Sequence, residues 1–449
     1  MKESMFNVYL LDEKEKECLV FNTMHRSILQ VDEEIYSLMK ENRINEIDDE
    51  VLNVLKEGEI IVDDDLIELD MLKIVFNRGK YNTDSIGITV IPTHLCNLAC
   101  KYCYQGHGEV LSQTMDEETV RRTIEFIKKS VEDFRSFGVN FYGGEAFLLP
   151  DINFSILEEL KSFADEQGKQ MEVTIASNGT LFTEDIVKRL KKYEPHIQIT
   201  LCGPKEVHDQ IRVDKKGNGT YERLMEVIAL FLAHDISFIA RVDVDRNSYD
   251  AVPELLEDLK RRGFEGIRLG FCLIGKEICY TAMELESEEI TPVELAHLSK
   301  RAHDMGFKTN PIYINNFMEV CSAVADNYLA VDPKGDVYKC LAAPNYPEHR
   351  LGTIDEAGNL INMNYSAYCK WTLRDPLLIK ECVTCKFAPI CAGGCALNAY
   401  SKHGDINTPG CDIGSPGYRE KDLAEIVRTY IMLEFPELFE ECTYESIIL

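Results

Sequence analysis

The middle of the chain alternates short apolar runs with amphipathic segments. Apolar runs of this length are typical of buried strands, and the segments between them repeat apolar residues at helical spacing. The segment after the first run does so at Val120, Ile124, Ile127 and Val131. Thr114 and Glu117 predict a capping box at its start. The predicted strands are residues 86–91, 139–142, 173–177, 197–201, 238–244 and 267–271. Six parallel βα units predict an α/β fold built on a partial, TIM-like (β/α)6 barrel.

The first 80 residues have a different pattern. Strand-like runs at 8–11 and 18–21 are followed by helical stretches at 32–41 and 47–57 and by a short apolar run at 60–62. The segment is acidic, with 10 basic and 20 acidic side chains. This order predicts a small, winged-helix-like α+β domain, and an extension of the neighbouring sheet is the alternative.

The alternation fades beyond residue 310, where cysteines become dense. Regular apolar patterning is too sparse there for an ordinary core, so bound metal is expected to organise the region. Residues 418–433 predict one amphipathic helix. We therefore expect three domains, at 1–83, 84–310 and 311–449.

Composition narrows the function. The 449 residues carry 48 Lys and Arg against 77 Asp and Glu, a formal net charge of −29. That balance argues against binding to nucleic acid or to an anionic membrane, because both require a basic surface. No apolar run approaches the length that spans a bilayer, and the N-terminus lacks the apolar core of a signal peptide. We expect a cytoplasmic protein.

The chain nevertheless contains 16 cysteines. Disulfides are rare in a reducing cytosol, where clustered cysteines more often bind metal or take part in catalysis. The positions of the cysteines therefore carry most of the functional information.

The first cysteine group follows the first predicted strand directly. Cys96, Cys100 and Cys103 are spaced CxxxCxxC, with Tyr102 before the last of them. Three cysteines on a loop can hold three irons of a 4Fe–4S cluster and leave the fourth iron open. A structural zinc site is the alternative; it needs a fourth ligand, for which His94 and His107 are the local candidates.

This spacing, the aromatic residue and the position after a strand resemble the radical S-adenosylmethionine (radical SAM) superfamily. The resemblance implies that the open iron chelates SAM, which is cleaved to a 5′-deoxyadenosyl radical. Gly143, Gly144 and Glu145 at the end of the second strand resemble the GGE motif that receives the SAM amino group, although Ala146 stands where the family usually has proline.

Further residues extend the resemblance. Ser177 and Asn178 end the third strand, where the family contacts the ribose hydroxyls. Arg241 on the fifth strand faces either the SAM carboxylate or Asp243.

Residues 200–212 resemble the "SLDGP…HD..R" stretch of peptide- and protein-modifying radical SAM enzymes, with Cys202 in place of the aspartate. Cys202 has three open interpretations: it ligates iron, passes a hydrogen atom to a substrate radical, or fills space.

A second cysteine array lies near the C-terminus. Its spacing resembles the SPASM extension, which houses two auxiliary iron–sulfur clusters, and a pair of zinc knuckles is the alternative. The resemblance assigns the distal cluster to Cys382, Cys385, Cys391 and Cys411. It assigns the proximal cluster to Cys321, Cys340 and Cys395. The fourth proximal ligand is open between Cys369, Cys279 and a substrate-binding iron site.

Enzymes with this architecture mostly modify ribosomally made peptides. The resemblance therefore implies a maturase with three 4Fe–4S clusters and SAM. Its partners would be a precursor peptide, whose leader binds the N-terminal domain, and a one-electron reductant such as flavodoxin or ferredoxin. The favoured product is a thioether cross-link. Carbon–carbon cross-linking, epimerisation and sulfatase-type oxidation of Ser or Cys are the enzymatic alternatives, and a zinc-binding scaffold is the non-enzymatic one.

Overall fold

The structure is a computed structural model, and its described residues exclude several segments. It describes residues 1–12, 17–103, 105–106, 111–274, 290–309 and 320–410, together with Ile426, Thr429, Tyr430 and Leu433. Cys411, Cys279 and His107 and most of the predicted tail helix lie outside these residues.

The N-terminal region contains a three-stranded antiparallel sheet, a two-stranded sheet and three helices. The strands are β1 Lys2–Glu3, β2 Asn7–Asp12, β3 Glu17–Asn22, β4 Ile28–Asp32 and β5 Ile61–Val62. The helices are α1 Glu33–Lys40, α2 Asp49–Glu57 and α3 Glu68–Lys80. Strand β3 lies between β2 and β4, and β1 pairs with β5.

All six predicted barrel strands are present and parallel, and a seventh extends them. They are β6 Ser85–Val90, β7 Ser136–Phe141, β8 Gln170–Ala176, β9 His196–Leu201, β10 Phe238–Val244, β11 Arg268–Leu273 and β12 Lys308–Thr309. The helices here are α4 Glu117–Ser130, α5 Pro150–Gln167, α6 Glu184–Lys191, α7 Lys205–Ile211, α8 Tyr221–Ala233, α9 Arg246–Tyr249, α10 Val252–Arg261 and α11 Pro292–Asp304. The strands follow one another in chain order across the sheet, and helices and strands share one large apolar core.

The predicted cap of helix α4 is wrong. Asp116 is the N-cap, and its carboxylate accepts from Thr119 N. Thr114 instead bonds the hydroxyl of Thr93 at 2.8 Å, so it fixes the loop that enters the cysteine motif. The Thr114 hydroxyl bonds Thr93, which follows β6, and so does not cap the helix.

The cysteine-rich region continues the same sheet. Its elements are β13 Tyr328–Val331, β14 Asp336–Tyr338, β15 Gly352–Ile354, β16 Leu360–Ile361, α12 Tyr365–Thr372, α13 Lys380–Val383, α14 Ala388–Cys391 and α15 Ala396–His403. Strand β13 pairs in parallel with β6 on the side away from β7, and β14 to β16 follow antiparallel. The barrel sheet and this region therefore form one eleven-stranded mixed sheet.

The N-terminal region packs on the cysteine-rich region. Phe6 and Phe76 share an apolar cluster with Leu377 and Ala388. The Thr23 hydroxyl donates to the Lys386 carbonyl, which ties a turn of the small sheet to the same surface. No helix in the described part of the chain has the length and apolarity needed to cross a membrane.

Candidate functional site

The first cysteine loop leaves the sheet at the carboxyl end of β6 and is held by main-chain bonds. Ala99 N donates to the Val213 carbonyl at 2.8 Å, and Lys101 N donates to the Ile211 carbonyl at 3.0 Å. The loop is thus paired with the segment that follows α7. Loops at the carboxyl ends of parallel strands carry the active sites of βα barrels.

The two glycines after β7 allow the backbone to approach this loop closely. Gly144 N donates to the Thr93 carbonyl and Glu145 N to the Leu95 carbonyl. A Cβ atom on Gly144 would lie 2.3 Å from the Leu95 oxygen, and one on Gly143 would lie 2.4 Å from the Thr93 oxygen. No side chain fits at either position, so the Gly–Gly pair docks the end of β7 against the cysteine loop.

The Glu145 carboxylate connects the ends of β7 and β8. It is 1% exposed and accepts from the Ser177 hydroxyl at 2.8 Å, from Asn178 N at 2.7 Å and from Phe147 N at 2.9 Å. Burial raises its pKa, and these three donors oppose that rise. The carboxylate therefore positions Ser177 and Asn178, two residues that the sequence assigned to the ribose.

Asn178 in turn reaches the first cysteine. Its Nδ2 lies 3.6 Å from Cys96 Sγ and donates to Asn97 Oδ1 at 2.8 Å. The main chain of Leu98 also donates to Cys96 Sγ, at 3.4 Å. Burial raises the pKa of Cys96 to about 12, and a bound metal cation would favour its thiolate form instead.

Tyr102 is the hub of a buried polar network behind the loop. Its hydroxyl donates to Asp243 Oδ2 at 2.9 Å, accepts from Arg212 Nη1 at 2.6 Å and lies 3.1 Å from Cys202 Sγ. Burial raises the pKa of Tyr102 well above its usual value. Because the tyrosine proton is given to Asp243, the Cys202 thiol donates its own proton to the tyrosine oxygen.

This network bears on Cys202. The side chain is fully buried, and burial raises the pKa of the thiol to about 12. The described structure therefore places Cys202 as a protonated, hydrogen-bonded thiol beneath the cysteine loop, 3.1 Å from Tyr102.

Arg241 faces Asp243, one of its two sequence-based partners. Its Nε donates to Asp243 Oδ1 at 2.5 Å, and Asp243 is 5% exposed. Asp243 thus binds Arg241 with one oxygen and Tyr102 with the other. The guanidinium remains partly exposed, with 38% of the side chain accessible.

Arg212 was missed as a site residue, although the "HD..R" stretch contains it. It is 7% exposed, and its Nε has no hydrogen-bond partner among the described residues. The other two polar residues of that stretch hold local structure. His208 bonds Thr220, and burial lowers its pKa to about 3, whereas Asp209 accepts from Tyr221 N.

His94, one of the two local candidates for a fourth zinc ligand, is buried and neutral. It is 2% exposed, and burial lowers its pKa to about 4. Its Nδ1 has no hydrogen-bond partner among the described residues. Within the described ranges, no three His, Cys, Asp or Glu side chains converge closely enough for a single metal ion.

The C-terminal cysteines lie on short helices and tight turns. Cys382 is in α13, Cys391 ends α14, and Cys395 is the N-cap of α15. Between the last two, Ala392, Gly393 and Gly394 all have positive φ, which reverses the chain within three residues. Gly410 N donates to the Gly393 carbonyl at 2.9 Å, so the segment that ends at residue 410 lies beside this turn.

Cys340 is close to two cysteines of the same expected group. Burial, with smaller contributions from Cys321 and Cys395, raises its pKa to about 12. Cys385 belongs to the apolar cluster shared with the N-terminal region. None of the cysteines that the structure describes forms a disulfide.

Cys369 lies on a different surface. It is exposed and lines a surface cavity of about 590 Å³ together with Lys370, Leu373 and Leu378. Leu373 and Leu378 are 63% and 78% exposed, so the cavity opens to solvent.

The residues after β6 fit an iron–sulfur cluster. The thiols of Cys96 and Cys103 both interact electrostatically with Cys100, and two N–H groups point at Cys96 Sγ. Hydrogen bonds to sulfur are one means by which proteins tune such clusters. Four irons occupy separate corners, so their ligands are spaced more widely than those of a single ion.

Residues 90–259 match the sequence profile of the radical SAM superfamily. This part of the chain is a radical SAM domain, and the radical SAM fold binds SAM and a 4Fe–4S cluster.

Three comparisons extend beyond that domain. A serine-type anaerobic sulfatase-maturating enzyme of Bacteroides thetaiotaomicron is 24% identical over 72% of this chain and 85% of that enzyme. The radical SAM cyclopropyl synthase TigE of Paramaledivibacter caminithermalis is 22% identical over 86% of this chain and 88% of its own. The solved structure of Streptococcus suis SuiB bound to precursor peptide SuiA is 14% identical, with a TM-score of 0.54 over 92% of this chain and 99% of SuiB. The chain is thus similar to radical SAM maturases over most of its length.

Proposed function

We propose that the protein is a radical SAM/SPASM maturase that forms a thioether cross-link in a ribosomally made peptide. One observation carries the proposal: the loop of Cys96, Cys100 and Cys103 is docked on Gly144 and linked through Asn178 to Glu145. Residues from three consecutive strand ends thereby meet at one place.

The three loop cysteines would hold a 4Fe–4S cluster with one open iron. When bound there, the cluster supplies the electron that cleaves SAM to a 5′-deoxyadenosyl radical, which removes a hydrogen atom from the substrate. Tyr102, Gly143, Gly144, Ser177, Asn178 and Arg241 would line the SAM site. Glu145 would receive the SAM amino group, and its carboxylate also positions Ser177 and Asn178 through hydrogen bonds.

Two auxiliary clusters would occupy the cysteine-rich region. Cys321, Cys340 and Cys395 would hold the proximal one, supported by the mutual electrostatic interactions of their thiols. Cys382, Cys385, Cys391 and Cys411 would hold the distal one. Cys369 is disfavoured as the fourth proximal ligand, because it faces a solvent-open cavity. An open proximal iron would bind the substrate thiolate.

The N-terminal region would bind the leader of the precursor. It would be the winged-helix-like unit that the sequence predicts, and β4 is an edge strand of its three-stranded sheet among the described strands. Edge strands bind peptides through main-chain hydrogen bonds. The acidic charge of residues 1–80 would attract a leader that carries Lys or Arg. Flavodoxin or ferredoxin would serve as reductant in the cytoplasm.

Oxidation of a sulfatase residue is the second candidate, because sulfatase-maturating enzymes are among the similar proteins. The extent of similarity favours a peptide maturase. The match to the sulfatase enzyme covers 72% of this chain, whereas TigE and SuiB cover 86% and 92%. SuiB has been solved with a precursor peptide, so a peptide substrate has a structural parallel.

The test is co-expression with the short reading frame expected beside the gene, followed by mass spectrometry of the peptide. A thioether removes two hydrogens and one alkylatable thiol, and the product forms no hydrazone. A carbon–carbon link removes two hydrogens but keeps the thiol. Formylglycine forms a hydrazone, and epimerisation leaves the mass unchanged but takes up deuterium from heavy water.

The matched control is the same co-expression with Cys96, Cys100 and Cys103 all changed to Ala. The peptide should then be unmodified. Modification by this variant would refute the role of the loop. A wild-type product that forms a hydrazone would show that the enzyme oxidises a residue to formylglycine and does not form a thioether.

A further inference from the structure

Three basic side chains are buried where the N-terminal and cysteine-rich regions meet. Lys80 is 2% exposed, Lys339 is fully buried, and Arg374 is 1% exposed. Lys80 Nζ donates to the Arg374 carbonyl, and Lys339 Nζ donates to the carbonyls of Ala325, Asp326 and Tyr328. Among the described residues, no carboxylate lies within ion-pair distance of these three cations, since each donates to main-chain oxygen instead.

Arg374 is the most central of the three. Its Nε donates to the Ile406 carbonyl at 2.6 Å, and its Nη2 donates to the Gly393 carbonyl at 2.8 Å. Gly393 lies in the turn between Cys391 and Cys395, so the guanidinium bonds the turn that carries a cysteine of each expected auxiliary group.

The electrostatic surroundings of Arg374 are dominated by thiols. Burial lowers its pKa, and four cysteines oppose that effect: Cys321, Cys382, Cys395 and Cys391. Two of these belong to the proximal group and two to the distal group. A buried charge without a countercharge is costly, and structures normally pair such a group or place it near a metal site. Main-chain carbonyls satisfy its donors but do not neutralise its charge.

We propose that Arg374 is a positioning residue for both auxiliary clusters, whose negative charge it balances and whose reduction potential it raises. This inference rests on the proposed function, because it requires the clusters to be present. The guanidinium keeps its charge at all working pH values. A fixed cation near an iron–sulfur cluster favours the more negative, reduced state, since net charge and hydrogen bonds set the potential of such clusters.

The test is an EPR-monitored redox titration with dithionite. The background is the full chain with Cys96, Cys100 and Cys103 changed to Ala, so that only auxiliary clusters give a signal. Arg374→Gln should lower the ratio of reduced to oxidised cluster at a fixed potential at least tenfold, a fall of 59 mV for one electron. Arg374→Lys, which keeps the charge, should leave that ratio within about threefold of the parent.

Arg122→Gln is the matched control. Arg122 also donates to main-chain carbonyls, those of Ile354 and Lys334, but it lies at helix α4 beside Gly335, away from the cysteines. Its removal should leave the potential unchanged. An equal shift in Arg122→Gln and Arg374→Gln would overturn the proposal, as would wild-type potentials in Arg374→Gln.

Iron content distinguishes failure of the proposed auxiliary clusters from failure of the proposed role of Arg374. A background variant without iron refutes the auxiliary clusters themselves, whereas one with ~8 irons and an unmoved potential refutes only the role of Arg374. Should Arg374→Gln be insoluble, Arg374→Lys decides. Soluble Lys protein at the parental potential shows that the site needs the charge. If Arg374→Lys is also insoluble, the charge alone does not support the site and the guanidinium hydrogen bonds to main-chain carbonyls are what it requires, which overturns the proposal.

Discussion

The two cysteine regions differ in the size of the apolar core that supports them. The loop of Cys96 to Cys103 lies on a barrel whose core extends through strands β6 to β11 and most flanking helices. In the C-terminal region, Cys340 and Cys395 pack against a much smaller cluster that includes Trp371, Leu397 and Ile406, and three buried cations lie nearby. Similar thiol chemistry is therefore placed beside a large apolar core in one region and beside a small one in the other.

The comparison teaches that cluster loss should have opposite consequences in the two regions. The barrel buries enough apolar surface to fold without help from its loop. The C-terminal region has a small apolar core of its own and several buried positive charges, so we expect its fold to depend on the clusters proposed for its cysteines. We therefore expect the first cluster to be dispensable for folding and the C-terminal clusters to be required for it.

The largest effect is expected from Cys391→Ala. The loss of one distal ligand should remove the cluster that organises α13 to α15, and soluble protein should fall by more than about tenfold. Yield and iron content of the soluble fraction measure this. Cys369→Ala is the matched control and should behave as wild type, because Cys369 faces a solvent-open cavity. Soluble, fully active Cys391→Ala protein would remove the distinction between the regions.

The triple change of Cys96, Cys100 and Cys103 to Ala should abolish activity but not folding. Anaerobically prepared protein should lose about four of its twelve irons and form no 5′-deoxyadenosine from SAM and dithionite. Iron analysis, chromatography of the nucleoside and circular dichroism measure the three properties. SAM cleavage by this variant would show that the cluster site lies elsewhere.

Gly144→Ala tests the docking of β7 on the loop. Its Cβ would lie 2.3 Å from the Leu95 oxygen and 2.4 Å from the His94 oxygen, so the strand end must move, at a cost of about 1–3 kcal/mol. We expect weaker SAM binding by calorimetry and a lower rate of SAM cleavage. Gly138→Ala lies within β7 and has nothing within 4 Å of the added Cβ, so this variant should bind SAM normally. Equal behaviour of the two variants would contradict the docking role.

The smallest effect is expected from Cys202→Ala. The thiol fills buried space and donates one hydrogen bond to Tyr102, so its loss should lower the free energy of unfolding by about 1–2 kcal/mol. SAM cleavage and peptide modification should persist. A variant that still cleaves SAM but leaves the peptide unmodified would instead assign Cys202 to hydrogen-atom transfer.

Sequence patterns predicted the parallel strands and the loops at their ends, because apolar periodicity and strand-end positions are local properties. They did not predict the network in which Tyr102 bonds Arg212 and Asp243, both more than a hundred residues away from it in the sequence. The position of Arg374 beside the C-terminal cysteines could not be predicted from the sequence either. Its partners are main-chain carbonyls, which every residue possesses and which therefore have no signature in a sequence.

The pairing of β6 with β13 has a consequence for how the chain is made. Thr89 and Tyr328, whose hydroxyls lie 2.6 Å apart on these strands, are separated by 239 residues. Such non-local contacts form slowly, and they cannot form on the ribosome until most of the chain has been synthesised. Until then one edge of β6 lacks this partner, and unpaired edges promote association between chains. A protein cut after residue 310 would keep that edge permanently open, so the barrel should be expressed together with its C-terminal strands.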